Sequence, residues 1–100
     1  MSAQSALLSV WSVYLIRDKD NRLYTGITTD VTRRLSEHQA GNGAKNLRGR
    51  GPLSLHWHSA IGDRSQAQKV EYRLKQWPKA RKEQLPQHPE WLVILKSESL

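Results

Sequence analysis

Two apolar runs near the start of the chain are separated by a short polar segment. Trp11–Ile16 and Leu23–Thr28 are rich in β-branched and aromatic residues, and Asp20 and Asn21 lie between them. This composition with a polar turn is typical of a β-hairpin. The sequence therefore predicts two antiparallel strands over these runs.

Alternation along the predicted strands assigns each tyrosine to a side of the sheet. Tyr14 would share its side with Ile16, and Tyr24 would share its side with Gly26. Gly26 has no side chain to cover the neighbouring surface.

A helix is predicted immediately after the hairpin, with Thr29 or Asp30 as its cap and Gly41 at its C-terminal end. Four residues at positions i, i+3, i+4 and i+7 form one stripe along it: Val31, Arg34, Leu35 and His38. A cation and an imidazole on a face that should be apolar need an explanation.

Further periodic segments follow. Leu53, Leu55 and Trp57 alternate with polar residues and predict a third strand. A second helix would begin near Asp63 or Ser65 and run to residue 77, before Pro78. A short basic helix is expected over residues 79–85, and residues 91–95 fit either a strand or a helical turn.

Glu71 lies inside the apolar stripe of the second predicted helix, which is formed by Ala67, Val70, Leu74 and Trp77. A carboxylate in that position needs a cation, because an unpaired buried charge is costly. Periodicity alone favours a structural ion pair with Arg34, or an edge position with the carboxylate turned to solvent, over a functional role.

Length and composition narrow the class of protein. One hundred residues predict a single domain, placed at residues 10–95 between a loose lead-in at 1–9 and a frayed end at 96–100. The chain has no cysteine, which excludes disulfides and thiolate metal sites. No apolar run approaches the roughly 20 residues that span a bilayer, and no signal peptide is recognisable. We expect a cytoplasmic protein with no membrane partner.

The charge balance points to a polyanionic partner. Lys and Arg number 16 against 9 Asp and Glu, for a net charge of +7, which favours nucleic acid. A glycine-punctuated loop after the first helix carries Lys45, Arg48 and Arg50. These cations could bind phosphates, although the same pattern fits a solvated surface loop.

His56 and His58 are two residues apart on the predicted third strand and would share one face of it. Two imidazoles on one face could hold a metal ion, but no third ligand is near in sequence. A wet sheet face explains the pair more simply.

The hairpin and first helix together resemble the GIY-YIG nuclease family, and in particular its small stand-alone bacterial members. The match covers roughly residues 11–85. Ser12-Val13-Tyr14 and Tyr24-Thr25-Gly26 correspond to the two family triplets, and Gly43-Ala44-Lys45 corresponds to a glycine–alanine–lysine segment of the small members. Arg34, His38 and Glu71 follow at the family's intervals.

This resemblance implies an α/β (α+β) fold, with a small central three-stranded antiparallel sheet flanked by helices. The resemblance also implies that five side chains converge on one sheet face: Tyr14, Tyr24, Arg34, His38 and Glu71. The first triplet keeps only its tyrosine, Thr25 replaces isoleucine in the second, and Asn46-Leu47-Arg48 departs from the usual loop.

The resemblance also implies roles in phosphodiester hydrolysis. Glu71 would anchor a single Mg²⁺ or Mn²⁺, and Tyr14 would act as general base, directly or through a water, with its pKa depressed by nearby cations. Tyr24 would orient the water or the phosphate, and Arg34 would neutralise its charge. His38 would hydrogen-bond Tyr14 or shuttle its proton.

The function expected is a metal-dependent nuclease of low sequence specificity, acting on DNA more than RNA and directed to structured or single-stranded substrates. One alternative is a nucleic-acid-binding module without catalysis. Another is a protein-interaction adaptor anchored by exposed tryptophans.

Overall fold

A computed structural model describes residues 9–97 of the chain. Residues 9–97 form three strands and four helices. The strands are β1 (Trp11–Arg17), β2 (Leu23–Thr28) and β3 (Ser54–Gly62), and the helices are α1 (Val31–Gln39), α2 (Arg64–Lys75), α3 (Lys79–Glu83) and α4 (Trp91–Lys96), with short 3₁₀ turns at Lys45–Leu47 and Leu85–Gln87. Residues 1–8 and 98–100, within the predicted lead-in and end, lie outside the described residues.

The strands form one antiparallel sheet in the order β2-β1-β3, which confirms the predicted fold class. Alternating residues of β1 are buried on both sides of the sheet. Val13 and Leu15 pack with Val70 and Leu74 of α2 in one cluster. Tyr14 belongs to a second cluster on the opposite face, which includes residues of α1 and the loop after it.

The hairpin turn is closed by the side chain of Asp18. This carboxylate accepts hydrogen bonds from the backbone N–H groups of Asp20 and Arg22 at 2.8 and 3.0 Å. Asn21 supplies the left-handed conformation that the turn requires, with φ of 67°, which asparagine tolerates better than most residues. The predicted hairpin is therefore confirmed.

The helix boundaries follow their capping residues. Asp30 caps α1 by accepting from the N–H of Arg33 at 3.0 Å, and Gly41 follows the helix with φ of 81°, as expected for glycine at this position. Asp63 and Gln66 form a capping box at the start of α2. Residues 91–95, left open between strand and helix, belong to α4.

The predicted third strand is present, but Leu55 and Trp57 lie on opposite faces of the sheet although they are two residues apart. The pairing of β1 with β3 shifts between Leu15 and Ile16, so that Leu15 pairs with Trp57 and Ile16 pairs with Leu55. His56 is the extra residue of this bulge. Leu55 therefore packs in the cluster of Tyr14, whereas Trp57 packs on the opposite face of the sheet.

The tryptophans are not exposed anchors. Trp11, Trp57, Trp77 and Trp91 are all half-buried, and the last three pack against the core that contains Val13. The expectation of exposed tryptophans for a protein-interaction adaptor is therefore wrong.

None of the helices within residues 9–97 has the length and apolar character needed to cross a membrane.

Candidate active site

The phenol of Tyr14 lies across the neighbouring strand, directly over Gly26. The two residues are cross-strand partners, and a Cβ atom added to Gly26 would lie 2.5 Å from Cζ of Tyr14 and closer still to its hydroxyl oxygen. Any side chain at position 26 would displace the ring. The glycine of the second triplet is therefore required by the position of the tyrosine of the first.

His38 of α1 holds the hydroxyl of Tyr14 from the helix side. Its Nε2 atom is 2.9 Å from the Tyr14 hydroxyl oxygen, in a buried contact, and its Nδ1 atom accepts a hydrogen bond from the backbone N–H of Ala44 at 3.1 Å. Because Nδ1 accepts, the proton of the neutral ring is on Nε2. His38 therefore donates to the oxygen of Tyr14.

Tyr24 completes an aromatic cluster around this hydrogen bond. The ring centroids of Tyr14 and Tyr24 are 6.4 Å apart, those of Tyr14 and His38 are 5.9 Å apart, and those of Tyr24 and His38 are 5.7 Å apart. The hydroxyl of Tyr24 has no hydrogen-bond partner among residues 9–97. It can therefore bind a ligand without losing an internal contact.

The electrostatics of Tyr14 correct one expectation. Burial raises the pKa of Tyr14 to about 12, although hydrogen bonding and charge from Arg34 lower it, and Tyr24 and Glu71 add to the rise. The prediction that nearby cations depress this pKa is therefore wrong for the protein by itself. Burial outweighs the single guanidinium because it destabilises the phenolate directly.

Arg34 and His38 share the stripe of α1 that looked anomalous in the sequence. Arg34 donates a hydrogen bond to Glu37 at 2.9 Å. Its guanidinium also lowers the pKa of Tyr14 through hydrogen bonding and charge. Burial lowers the pKa of His38, and the charge of Arg34 lowers it further against the opposing effect of Glu37. The imidazole is therefore neutral at neutral pH. These polar residues occupy the stripe because it faces Tyr14 and Tyr24.

Glu71 lies on α2, which packs against the face of the sheet opposite to the cluster of Tyr14, so the five predicted residues do not all come from elements on one face. Its carboxylate is among the charges that raise the pKa of Tyr14, and its side chain is only 22% exposed. The ion pair it makes is with Lys75, one helical turn away at 3.4 Å, and not with Arg34 as the structural interpretation of the sequence supposed. A partly buried carboxylate with one long ion pair keeps lone pairs for another cation.

The three loop cations have different surroundings. Arg50 donates from Nε to Asp18 at 2.7 Å and from a terminal nitrogen to Asp20 at 2.5 Å, so it joins the loop to the hairpin turn. Lys45 and Arg48 are exposed and have no ion pair with the described residues. Their side chains lie in the loop whose Ala44 binds His38.

The two histidines of the third strand do not form a pair. His56 contacts Arg17 at 3.1 Å and the carbonyl of Glu83 at 3.2 Å, whereas His58 is the cross-strand partner of Tyr14. The bulge at His56 separates them. No group of three or more His, Asp or Glu residues suited to a metal exists within residues 9–97.

Two contacts in the site were not predicted from the sequence. A Cβ atom added to Gly43 would lie 2.8 Å from Cε1 of His38 and closer to Nδ1, so this glycine lets the loop reach the imidazole. Glu37 holds Arg34; its position three residues after Arg34 on a helix was the available signal. Nothing in one sequence indicated the contact of Gly43.

Comparisons with known proteins identify the family to which the chain is similar. The GIY-YIG catalytic domain model matches residues 10–84. A UPF0213 protein of Serratia proteamaculans is 57% identical over 83 residues, which are 83% of this chain and 81% of that protein. A UPF0213 protein of Yersinia enterocolitica is 57% identical over 88 residues, covering 87% and 91%.

A solved structure is similar as well. The solution structure of the protein EF2693 from E. faecalis is 32% identical, with a TM-score of 0.57, and the match covers 81% of this chain and 86% of that one. The chain therefore belongs to the GIY-YIG family, with the small UPF0213 proteins as its relatives.

Proposed function

We propose that this protein is a metal-dependent nuclease that hydrolyses phosphodiester bonds, in DNA more than in RNA, with low sequence specificity and a preference for single-stranded or structured substrates. The observation that carries the proposal is the buried phenol of Tyr14, which is hydrogen-bonded to His38, lies beside the ring of Tyr24 and has a pKa that Arg34 lowers and Glu71 raises. The net charge of +7 supports a polyanionic substrate.

The residues present fit a single divalent ion. Glu71 offers one partly buried carboxylate, and Mg²⁺ or Mn²⁺ is commonly held by one or two carboxylates while keeping most of its waters. When bound there, the ion would supply positive charge to the phosphate oxygens and offset the negative charge of Glu71 near Tyr14. Glu71 would hold it, and no second protein carboxylate is required.

The remaining roles belong to side chains of the chain. His38 donates a hydrogen bond to the Tyr14 oxygen, and Arg34 lowers the pKa of the same phenol. Both residues therefore stabilise the phenolate form of Tyr14. Tyr14 in that form would accept a proton from the attacking water. Arg34 would also face the charge that develops on the phosphate, and the free hydroxyl of Tyr24 would orient the phosphate or the water. Lys45 and Arg48 would hold flanking phosphates.

A cleavage assay tests this proposal. Single-stranded, duplex and branched DNA, with matched RNA, would be incubated with Mg²⁺, Mn²⁺ or EDTA. We expect cleavage that EDTA abolishes and that Tyr14→Phe and Glu71→Gln each reduce by about 100-fold or more, while binding measured in EDTA stays unchanged.

Matched controls distinguish the site from the scaffold. Tyr72→Phe removes a phenol that is 69% exposed on α2, and Glu90→Gln removes an exposed carboxylate before α4; both should cleave normally. Cleavage that survives EDTA, or that Glu71→Gln leaves intact, would contradict the proposed mechanism.

A non-catalytic nucleic-acid-binding module is the second candidate. The raised pKa of Tyr14 favours it, because a phenol that stays protonated at neutral pH is a poor base. This candidate predicts that the wild-type protein binds nucleic acid but cleaves no substrate with either metal.

A further inference from the structure

We propose that His58 forms a second phosphate-binding position on the sheet face, which holds the nucleic-acid strand beyond the phosphate that is attacked. This inference rests on the proposed function. It concerns how many nucleotides of the nucleic-acid strand the site binds.

The pairing of the strands places His58 on the face of the active site. His58 on β3 and Gly26 on β2 are both cross-strand partners of Tyr14, and directly paired residues of antiparallel strands project from the same face. One row of paired residues across the three strands therefore consists of Gly26, Tyr14 and His58. The bulge at His56 is what brings His58 to this face.

The side chain of His58 is available, unlike those of the other histidines. It is exposed and makes no hydrogen bond, ion pair or ring contact with residues 9–97. His38 is hydrogen-bonded to Tyr14, His56 contacts backbone carbonyls of the last turn of α3, and His88 stacks on Trp91 at 4.2 Å. His58 thus has no structural role among the described residues.

The residues next to His58 on the same face have small side chains. The next row of the same face contains Thr28, Ser12 and Ala60, whose side chains are small. Ala60 is exposed, and Ser12 is half-buried. On the β3 side of Tyr14, these two rows contain His58, Ser12 and Ala60, so neither row has a long apolar side chain there.

The distance from the reacting group excludes a role in the chemical step. The ring of Tyr14 extends over Gly26, on the side of β2, whereas His58 lies on the opposite neighbour of β1. The Tyr14 hydroxyl over β2 and His58 on β3 are therefore two strand spacings apart, which is about 10 Å. An imidazole at that distance from the Tyr14 hydroxyl would meet a different phosphate of the strand, to which it can donate a hydrogen bond.

Binding and cleavage of oligonucleotides of graded length would test this proposal. Single-stranded DNAs that share a labelled scissile position would extend from it by increasing numbers of nucleotides in either direction. Affinity would be measured by fluorescence anisotropy in EDTA, and cleavage would be measured with metal. We expect His58→Ala to weaken binding of long substrates by about 3- to 10-fold, as for one lost hydrogen bond, to raise KM and to leave kcat and short substrates unaffected.

Two further variants identify the contact. His58→Lys should restore affinity and steepen its salt dependence if the partner is a phosphate; failure to restore it would overturn the assignment to a phosphate. His88→Ala, which removes an imidazole outside the site, should behave as wild type.

The outcomes separate this inference from the proposed function. If the wild-type protein binds and cleaves while His58→Ala matches it at every length, the second position is overturned and the nuclease proposal stands. If the wild-type protein binds no oligonucleotide, the proposed function fails, and this inference fails with it.

Discussion

Tyr14 and Gly26 illustrate how one side chain sets the requirement for another on a neighbouring strand. The phenol occupies the space that a side chain at position 26 would need, and its hydroxyl is held by His38 in a buried contact. Protein interiors are closely packed, so the ring has no alternative place to move. The two triplets therefore act as one structural unit.

Gly26→Ala should displace the Tyr14 ring, destabilise the protein by about 1–3 kcal/mol through overpacking, and reduce cleavage strongly. Thermal denaturation and the cleavage assay would measure both effects. Gly51→Ala is the matched control, because an added Cβ there meets no atom closer than 4.0 Å. A normal melting temperature and normal cleavage in Gly26→Ala would contradict this account of the ring.

Thr25→Val should stabilise the protein. Thr25 is 3% exposed, and its hydroxyl oxygen has no hydrogen-bond partner within residues 9–97. Replacing an unsatisfied buried hydroxyl by a methyl group of the same shape should gain about 1 kcal/mol, measured by urea unfolding.

Thr28→Val provides the opposite case for this experiment. The hydroxyl of Thr28 accepts from the backbone N–H of Asp30 at 3.1 Å, so its loss should destabilise the protein. If both valine variants change the free energy of unfolding in the same direction, hydrogen bonding is not the cause.

At the scale of elements, the loop between α1 and β3 is tied to the hairpin and to the helix. The backbone carbonyl of Arg50 accepts from Lys19 N–H at 2.9 Å, and its guanidinium contacts Asp18 and Asp20. At the helix end, Ala44 donates to His38. The loop that carries Lys45 and Arg48 is thus positioned by contacts at both sides.

The contact between Asp18 and Arg50 should make stability depend on pH. Burial would raise the pKa of Asp18, but hydrogen bonds from Arg50 and from backbone N–H groups outweigh it and lower the pKa to about 2. The carboxylate therefore stabilises the fold fully above the unfolded pKa, about 4, and this stabilisation is lost as pH falls toward 2.

Asp18→Asn tests that dependence. The variant should be less stable at neutral pH and should lose less of its remaining stability between pH 4 and 2; urea unfolding at several pH values would show both. Some decline should persist, because hydrogen bonds from Arg17 and Lys79 also lower the pKa of Glu83 to about 2. A variant that declines as steeply as the wild type would contradict this role of Asp18.

At the scale of the whole molecule, the excess of basic residues is only partly available to a ligand. Arg17 and Lys79 pair with Glu83, Lys75 pairs with Glu71, and Arg50 pairs with two carboxylates. Such pairs contribute little long-range attraction, because their charges cancel nearby. Lys45 and Arg48 are exposed and without such pairs among the described residues.

Replacing both Lys45 and Arg48 by alanine should weaken binding at low salt and flatten its salt dependence. The slope of log K against log salt should fall by about 0.7 for each lost phosphate contact on a single strand, or about 0.9 on duplex DNA. Anisotropy titrations at several salt concentrations would measure it.

The control for this experiment is Lys69→Ala combined with Lys96→Ala. It removes the same formal charge from depressions lined by residues of α2 and α4. Equal changes of slope in the two double variants would show that only net charge matters and that the loop makes no specific phosphate contacts.

The sequence by itself determined the hairpin, α1 with its cap, and the spacing of Tyr14, Tyr24, Arg34 and His38. These features depend on local periodicities of two or about 3.6 residues and on turn residues, which act between near neighbours. The polar residues on the stripe of α1 also indicated a site, because burial of such groups without partners is costly.

Only the tertiary structure decided the remaining features. The bulge at His56 separates it from His58, the carboxylates of the hairpin pair with Arg50, and the charge of Glu71 raises the pKa of Tyr14 from another helix. Each depends on contacts between segments distant in sequence. The raised pKa of Tyr14 has the same origin, because desolvation depends on how completely the folded chain encloses the phenol.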